Sequence, residues 1–125
     1  MTENEISRII FNCALKVHKS LGLGLLESAY EKCLFYELSK SGVKVEKQKA
    51  LPLIYRDVKM EAGYRIDLMV EEKVIIEIKA VEALNDIHLA QTLTYLKLSG
   101  CKLAMLINFN INKIKFGIKR VVNGL

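Results

Sequence analysis

Apolar residues recur at helical spacing through the first third of the chain. Ile6, Ile9, Ile10, Cys13, Ala14 and Val17 share one face of residues 3–20, which predicts an amphipathic helix capped by Thr2 or Asn4. Leu21-Gly22-Leu23-Gly24 ends it. A GxG that follows a helix rather than a strand argues against a dinucleotide-binding loop. A second helix is predicted over residues 25–40, with Leu26, Tyr30, Leu34 and Leu38 as its apolar stripe and Gly42 as its C-cap. Glu27 and Tyr30, three apart, face the same way on it.

The period then falls to two. Val43 to Leu51 alternates, Pro52 interrupts, and Leu53 to Tyr55 resumes, the pattern of an edge strand or a bent one. Arg56-Asp57 turns into a strand over residues 58–70, where Gly63 marks a bulge or a close backbone approach. Val74 to Lys79 returns as the second arm of a hairpin. Asn85 or Asp86 caps a helix running to about Ser99 and closed by Gly100. Leu89, Leu93 and Leu96 form its apolar face, and His88, Gln91 and Tyr95 a polar stripe. Leu103 to Phe109 reads as a short buried strand, and Lys115 to Val122 as a last strand or a short helix. No repeat or linker interrupts residues 1–125, so one α/β domain of sheet and helices is expected.

Three charges break the most apolar stretch. Asp67, Glu77 and Lys79 lie among Ile66, Leu68, Met69, Val70, Val74, Ile75, Ile76 and Ile78. Ionised groups in such surroundings are costly unless they pair or hold a metal. Glu77 and Lys79 leave a strand by one face. A three-residue turn at Glu71-Glu72-Lys73 sets Asp67 opposite Glu77, whereas a two-residue turn sends Asp67 to the other side unless a bulge restores the register. Two carboxylates and an ammonium meeting there suit a hard divalent cation, because oxygen ligands hold Mg²⁺ while it keeps waters for a phosphate substrate.

Composition narrows the surroundings. The 125 residues are 51% hydrophobic, enough for a core, and the longest apolar runs are too short to cross a bilayer. Met1-Thr-Glu-Asn-Glu lacks the basic start of a signal peptide. Cys13, Cys33 and Cys101 have no metal-binding spacing and read as reduced core thiols of a cytoplasmic protein. The net charge is +5, and no acidic residue follows Asp86 while Lys97, Lys102, Lys113, Lys115, Lys119 and Arg120 do. A basic C-terminal third suits a phosphate-contacting surface or an ordinary solvated one.

Taken in order, Glu27, Asp67, Glu77-Ile-Lys79 and Gln91-Thr-Leu-Thr-Tyr95 resemble the PD-(D/E)XK nuclease superfamily, closest to its RecB and λ-exonuclease branch. Gly24-Leu-Leu-Glu27-Ser-Ala-Tyr30 is similar to the signature of the GxxExxY protein family, and the likeness runs on through Gly117-Ile-Lys-Arg120. The resemblance implies a restriction-endonuclease-like core, with a central mixed β-sheet flanked by helices. It also implies Mg²⁺-dependent hydrolysis of phosphodiester bonds in DNA, leaving 5′-phosphate ends, with Mn²⁺ as a possible substitute. Asp67, Glu77 and the backbone carbonyl of Ile78 would bind the metal, with Glu27 approaching from its helix. Lys79 would orient the attacking water and stabilise developing charge, and Gln91 and Tyr95 would position Lys79 or the phosphate. Arg65-Ile66 stands where many members have a proline, and three cysteines cannot build the four-cysteine iron–sulfur cluster of some relatives. His18 reads as a helix C-terminal cap rather than a ligand.

Three functions follow. One is a metal-dependent nuclease, which at this size would favour a homodimer similar to the Holliday-junction resolvases. Another is a catalytically silent nucleic-acid-binding subunit of a larger complex. The last is purely structural, with Lys79 paired to Glu77 or Asp67 as a buried ion pair.

Overall fold

The computed structural model describes residues 1–125, with the elements α1 (Glu3–Leu21), α2 (Glu27–Lys40), β1 (Val45–Tyr55), β2 (Val58–Val70), β3 (Val74–Lys79), α3 (Asp86–Ser99), β4 (Leu103–Asn108), a 3₁₀ turn (Ile114–Phe116) and β5 (Ile118–Val122). The strands form one sheet in the order β1-β2-β3-β4-β5. Only β3 and β4 run parallel; β1/β2, β2/β3 and β4/β5 are antiparallel. This is the expected α/β arrangement of a central mixed sheet flanked by helices. The tail takes both predicted forms in succession, a 3₁₀ turn and then a strand.

Each helix lies where its apolar face dictates. Ile6, Ile10, Cys13, Ala14 and Val17 of α1 join Tyr30, Leu34 and Leu38 of α2 against Leu68, Val70, Val74, Ile76, Met105 and Ile107 on one side of the sheet. Thr2 caps α1 through a reciprocal capping box with Glu5. On the other side, Tyr95 and Leu96 of α3 pack on Met69, Ile75 and Ala104. Both cores place the sheet centre, β3 and β4, out of reach of water, and all six residues of β4 are buried. That burial fits the continuous apolar run Leu103–Ile107.

Two helical expectations need correction. Leu26 is not part of the α2 stripe: it is the N-cap and 77% exposed, because the helix starts at Glu27. Tyr95 does not share an exposed face with Gln91; it is 4% exposed and belongs to the core with Thr92 and Leu96. Leucines occur all round α3, so periodicity did not single out the buried side.

The β1/β2 hairpin bends where Pro52 and Gly63 stand. Its register shifts between Leu51 and Leu53, and Gly63 has φ +77 in the extra length of β2 opposite Pro52. β1 is also an edge strand, where a missing proline N–H costs no ladder bond.

At the other edge, the Asn108 N–H donates to the Gly117 carbonyl at 2.8 Å. A Cβ on Gly117 would collide with the Asn108 carbonyl oxygen and stand 2.9 Å from Ile111 Cγ2. Backbone is a poor group to displace. Gly117→Ala should therefore cost about 1–3 kcal/mol, read as a lower urea midpoint at unchanged slope.

Candidate active site

Three residues separate the two arms of the hairpin. Val70 pairs with Val74, Met69 with Ile75 and Leu68 with Ile76, so Asp67 and Glu77 come next in register. The turn is the longer of the two the sequence allowed, with Glu71 and Glu72 at φ +54 and +56. Backbone pairing stops at this point and side chains take over. The Asp67 N–H donates to Glu77 Oε2 at 2.9 Å, and the Ile78 N–H donates to Asp67 Oδ2 at 2.8 Å. Each carboxylate thus satisfies an amide that the ladder leaves open and keeps its second oxygen free of these bonds.

The facing of β2 also changes here. Tyr64 and Ile66 lie on the α3 side, where Tyr64 sits 5.9 Å from the Tyr95 ring, whereas Leu68 and Val70 lie against α1 and α2. Across from this switch, Gln48 of β1 holds φ +49, sparsely populated for a residue with a Cβ. Its amide donates to Glu31 Oε1 at 2.8 Å and also faces Asp67.

Glu31 and Gln48 are the members of this cluster that sequence reading missed. Glu31 could have been found, since it stands four residues after Glu27 and shares its helix face. Gln48 carried no signal, because a strand glutamine announces neither its φ nor its partner.

The electrostatics are those of crowded anions. Glu77, 5% exposed, has its carboxyl pushed up to about 8, first by burial and then by the charge of Asp67. Burial raises Asp67 as well, with the Glu27 charge adding to it, against the Ile78 amide and Lys79 pulling down. Glu31 is raised by burial and by Asp67, and Tyr95 by burial and by Glu77. Two opposed carboxylates cannot both ionise cheaply in a half-dry site.

Lys79 does not close this excess. The chain's salt bridges are Lys44–Glu72 and Lys49–Glu46, and neither joins Lys79 to a carboxylate. A structural ion pair at this spot is thereby absent; Lys79 acts on both carboxylates only from a distance, and Glu77 meets the crowding by holding its proton.

Other residues brace the surroundings. Glu27 accepts the Ala80 N–H at 3.2 Å, tying the first turn of α2 to the end of β3. The buried Asn108 accepts the Val81 N–H at 3.1 Å and donates to the Val81 carbonyl at 3.0 Å, fixing the segment after Lys79. Gln91 donates to the Tyr95 hydroxyl at 2.9 Å, so those two do meet.

Glu27 and Tyr30 divide their work. The Tyr30 hydroxyl donates to the Gly22 carbonyl at 2.7 Å and accepts the Leu25 N–H at 3.3 Å, while its ring stacks 4.6 Å from that of Phe109. A locked α1–α2 loop fixes where Glu27 begins its helix. His18 stays outside the cluster, its Nε2 donating to the Ile111 carbonyl at 2.6 Å. Tyr30→Phe keeps the stack and frees both loop groups, so about 1 kcal/mol of stability should be lost in urea unfolding.

The donor set fits a hard divalent cation. Nowhere do three His, Cys, Asp or Glu side chains already form a cage. Mg²⁺ does not require one, since it is commonly held by one or two carboxylates with waters and substrate phosphate completing its shell. Asp67 and Glu77 supply that minimum, and their mutual repulsion is what a cation would relieve.

Comparison with known proteins bears on this geometry. The model of the PD-(D/E)XK nuclease superfamily matches residues 4–121. No curated protein and no solved structure matches the chain. No helix is long and apolar enough to cross a membrane.

Proposed function

The chain belongs to the PD-(D/E)XK nuclease superfamily, and from that premise we propose that it is a Mg²⁺-dependent nuclease that cuts DNA and leaves 5′-phosphate ends. One observation carries the reading: Asp67 and Glu77 sit opposed in register, each on the other strand's amide, with Lys79 near enough to act on both but bonded to neither. In the narrower likeness, the chain sits with the GxxExxY proteins and the RecB and λ-exonuclease branch, through Glu27, Tyr30, Gln91 and Tyr95.

Asp67, Glu77 and the Ile78 carbonyl would hold Mg²⁺ or Mn²⁺, and Glu27 would join directly or through water on leaving the Ala80 amide. A bound divalent cation would polarise a phosphate oxygen and lower the pKa of water. Lys79, beside Glu77 and unpaired, would orient the attacking water and meet the charge that grows on the phosphorane oxygens. The Gln91–Tyr95 pair would hold Lys79 or a non-bridging oxygen in place. In-line attack at phosphorus breaks the P–O3′ bond, so the phosphate stays on the 5′ end and the 3′ oxygen leaves as a hydroxyl.

A symmetric dimer acting on branched DNA is the second reading. The far end of the β1/β2 hairpin leaves Ile54, Tyr55, Val58 and Met60 exposed, a surface a second copy would cover. Incubating the protein with labelled single-stranded, duplex and four-way-junction DNA and with RNA, in Mg²⁺, Mn²⁺ or chelator, tests both. Cutting of a DNA form that stops in chelator supports the nuclease. Binding without cutting in any metal leaves a silent nucleic-acid-binding subunit.

A further inference from the structure

A second basic feature lies away from the carboxylates. Between α1 and β5 runs a cavity of about 460 Å³ whose wall includes Arg8, Lys115 and Arg120. It adjoins another of about 360 Å³ that shares Phe11 and Lys115 and adds Lys19 and Lys113. No acidic residue lines either one. Five cations along one groove, with Glu5 beside Arg8 as the counter-charge outside its wall, form a track for polyanions.

The groove is also partly organised. Arg120 Nη2 donates to Asn4 Oδ1 at 2.7 Å, which holds that guanidinium at the groove's edge. Lys115 Nζ lies 5.0 Å from the Phe116 ring centroid, and that ring is itself 65% exposed. Phe11 stands where the two cavities meet and belongs to neither hydrophobic core. It is half-buried there and lines both cavities.

We propose that this α1/β5 groove binds a single-stranded stretch of nucleic acid, its phosphates on Arg8, Lys113, Lys115 and Arg120 and a base stacked on Phe11. A basic groove interrupted by an aromatic platform suits unpaired bases, because a duplex keeps its base faces stacked on one another. β4 alone separates β5 from β3, so at about 4.8 Å per strand the groove begins on the order of 10 Å from the carboxylate strand. The groove opens on the α1 face of the sheet, with Met105, whereas Glu77 leaves β3 by the α3 face, with Ile75, so a strand held here reaches the carboxylates only by passing around the end of the sheet. The inference takes its ligand class from the nuclease reading above, but its residues are entirely separate.

The test is binding of a fluorescent 12-nucleotide DNA strand in EDTA, where no cutting intervenes, across a range of salt. The triple variant Arg8→Gln, Lys115→Gln, Arg120→Gln should weaken binding about tenfold and flatten the log–log salt slope by about 2. Phe11→Leu should weaken it about tenfold at unchanged slope, since stacking releases no counterions. Amide shifts in wild-type protein titrated with the same strand should cluster on α1 and residues 113–120, which covers the case of a variant that folds poorly. Unchanged affinity and slope in the triple variant, shifts elsewhere, or equal losses for a blunt duplex would overturn the proposal. Metal-dependent cutting with an inert groove would leave the nuclease reading standing alone. A groove that binds as described in a protein that never cuts would do the reverse.

Discussion

Lys79→Met should lower the rate of metal-dependent DNA cleavage about a thousandfold, near the upper end for removal of one preorganised charge donor from a transition state. The stem of methionine fills the same half-buried space beside Ile78, so packing is retained. No salt bridge is lost, because Lys79 makes none. Stability should therefore change little. Calorimetric Mg²⁺ affinity should hold or rise slightly, since one cation fewer competes for the Asp67–Glu77 field. The rate is to be followed on the DNA form that the substrate panel identifies, at saturating metal. Unaltered turnover would remove Lys79 from the chemistry. A fall in rate matched by a fall in metal affinity would make it a support for the carboxylates instead.

Most of the fold was legible because its signals are short-range. The caps Thr2 and Asn85, the positions of Gly63 and Gly100, and the step from period 3.6 to period 2 each act within a few residues, and the structure follows them, while α2 closes at Ser41, one residue before the expected Gly42. The Asp67–Glu77 register was narrowed to two turn lengths of opposite parity, and the structure takes the longer. What stayed hidden depends on contacts between distant segments. The Glu31–Gln48 bond links α2 to β1. Asn108 reaches from the end of β4 to the loop after β3. Tyr95 carried both a polar tip and an apolar ring, and only the packing of α3 on Met69 and Ile75 decides that the ring is buried. Glu77 illustrates the general case: strand periodicity placed it in the interior, but its cost there is set by Asp67, ten residues away.

Asp67→Asn should raise the unfolding temperature of the metal-free protein at pH 8 by about 5 °C, the effect of about 1–2 kcal/mol at this chain length. The amide oxygen of asparagine can still accept the Ile78 N–H, so the strand junction is kept while the repulsion on Glu77 goes. The pH dependence distinguishes this from generic stabilisation. Glu77 has a folded pKa near 8 against an ordinary 4.5, so the folded state holds the extra proton between those values. Its contribution is complete below 4.5 and is lost as pH rises towards 8. Asp67 is raised too and adds to the same decline. Glu5 and Glu72 are lowered and act in the opposite sense, but only on the acid side of their ordinary 4.5. Wild-type protein should thus melt lower at pH 8 than at pH 5.5, and the gap should shrink in the variant. Mg²⁺ binds the ionised carboxylates, so it should restore the loss at pH 8, by about 2.7 kcal/mol at a hundred times its dissociation constant, and act weakly at pH 5.5. The variant should gain nothing from Mg²⁺ at either pH. A wild-type melting temperature that ignores both pH and Mg²⁺ would mean that the two carboxylates neither repel nor bind, and the proposed metal site would lose its foundation.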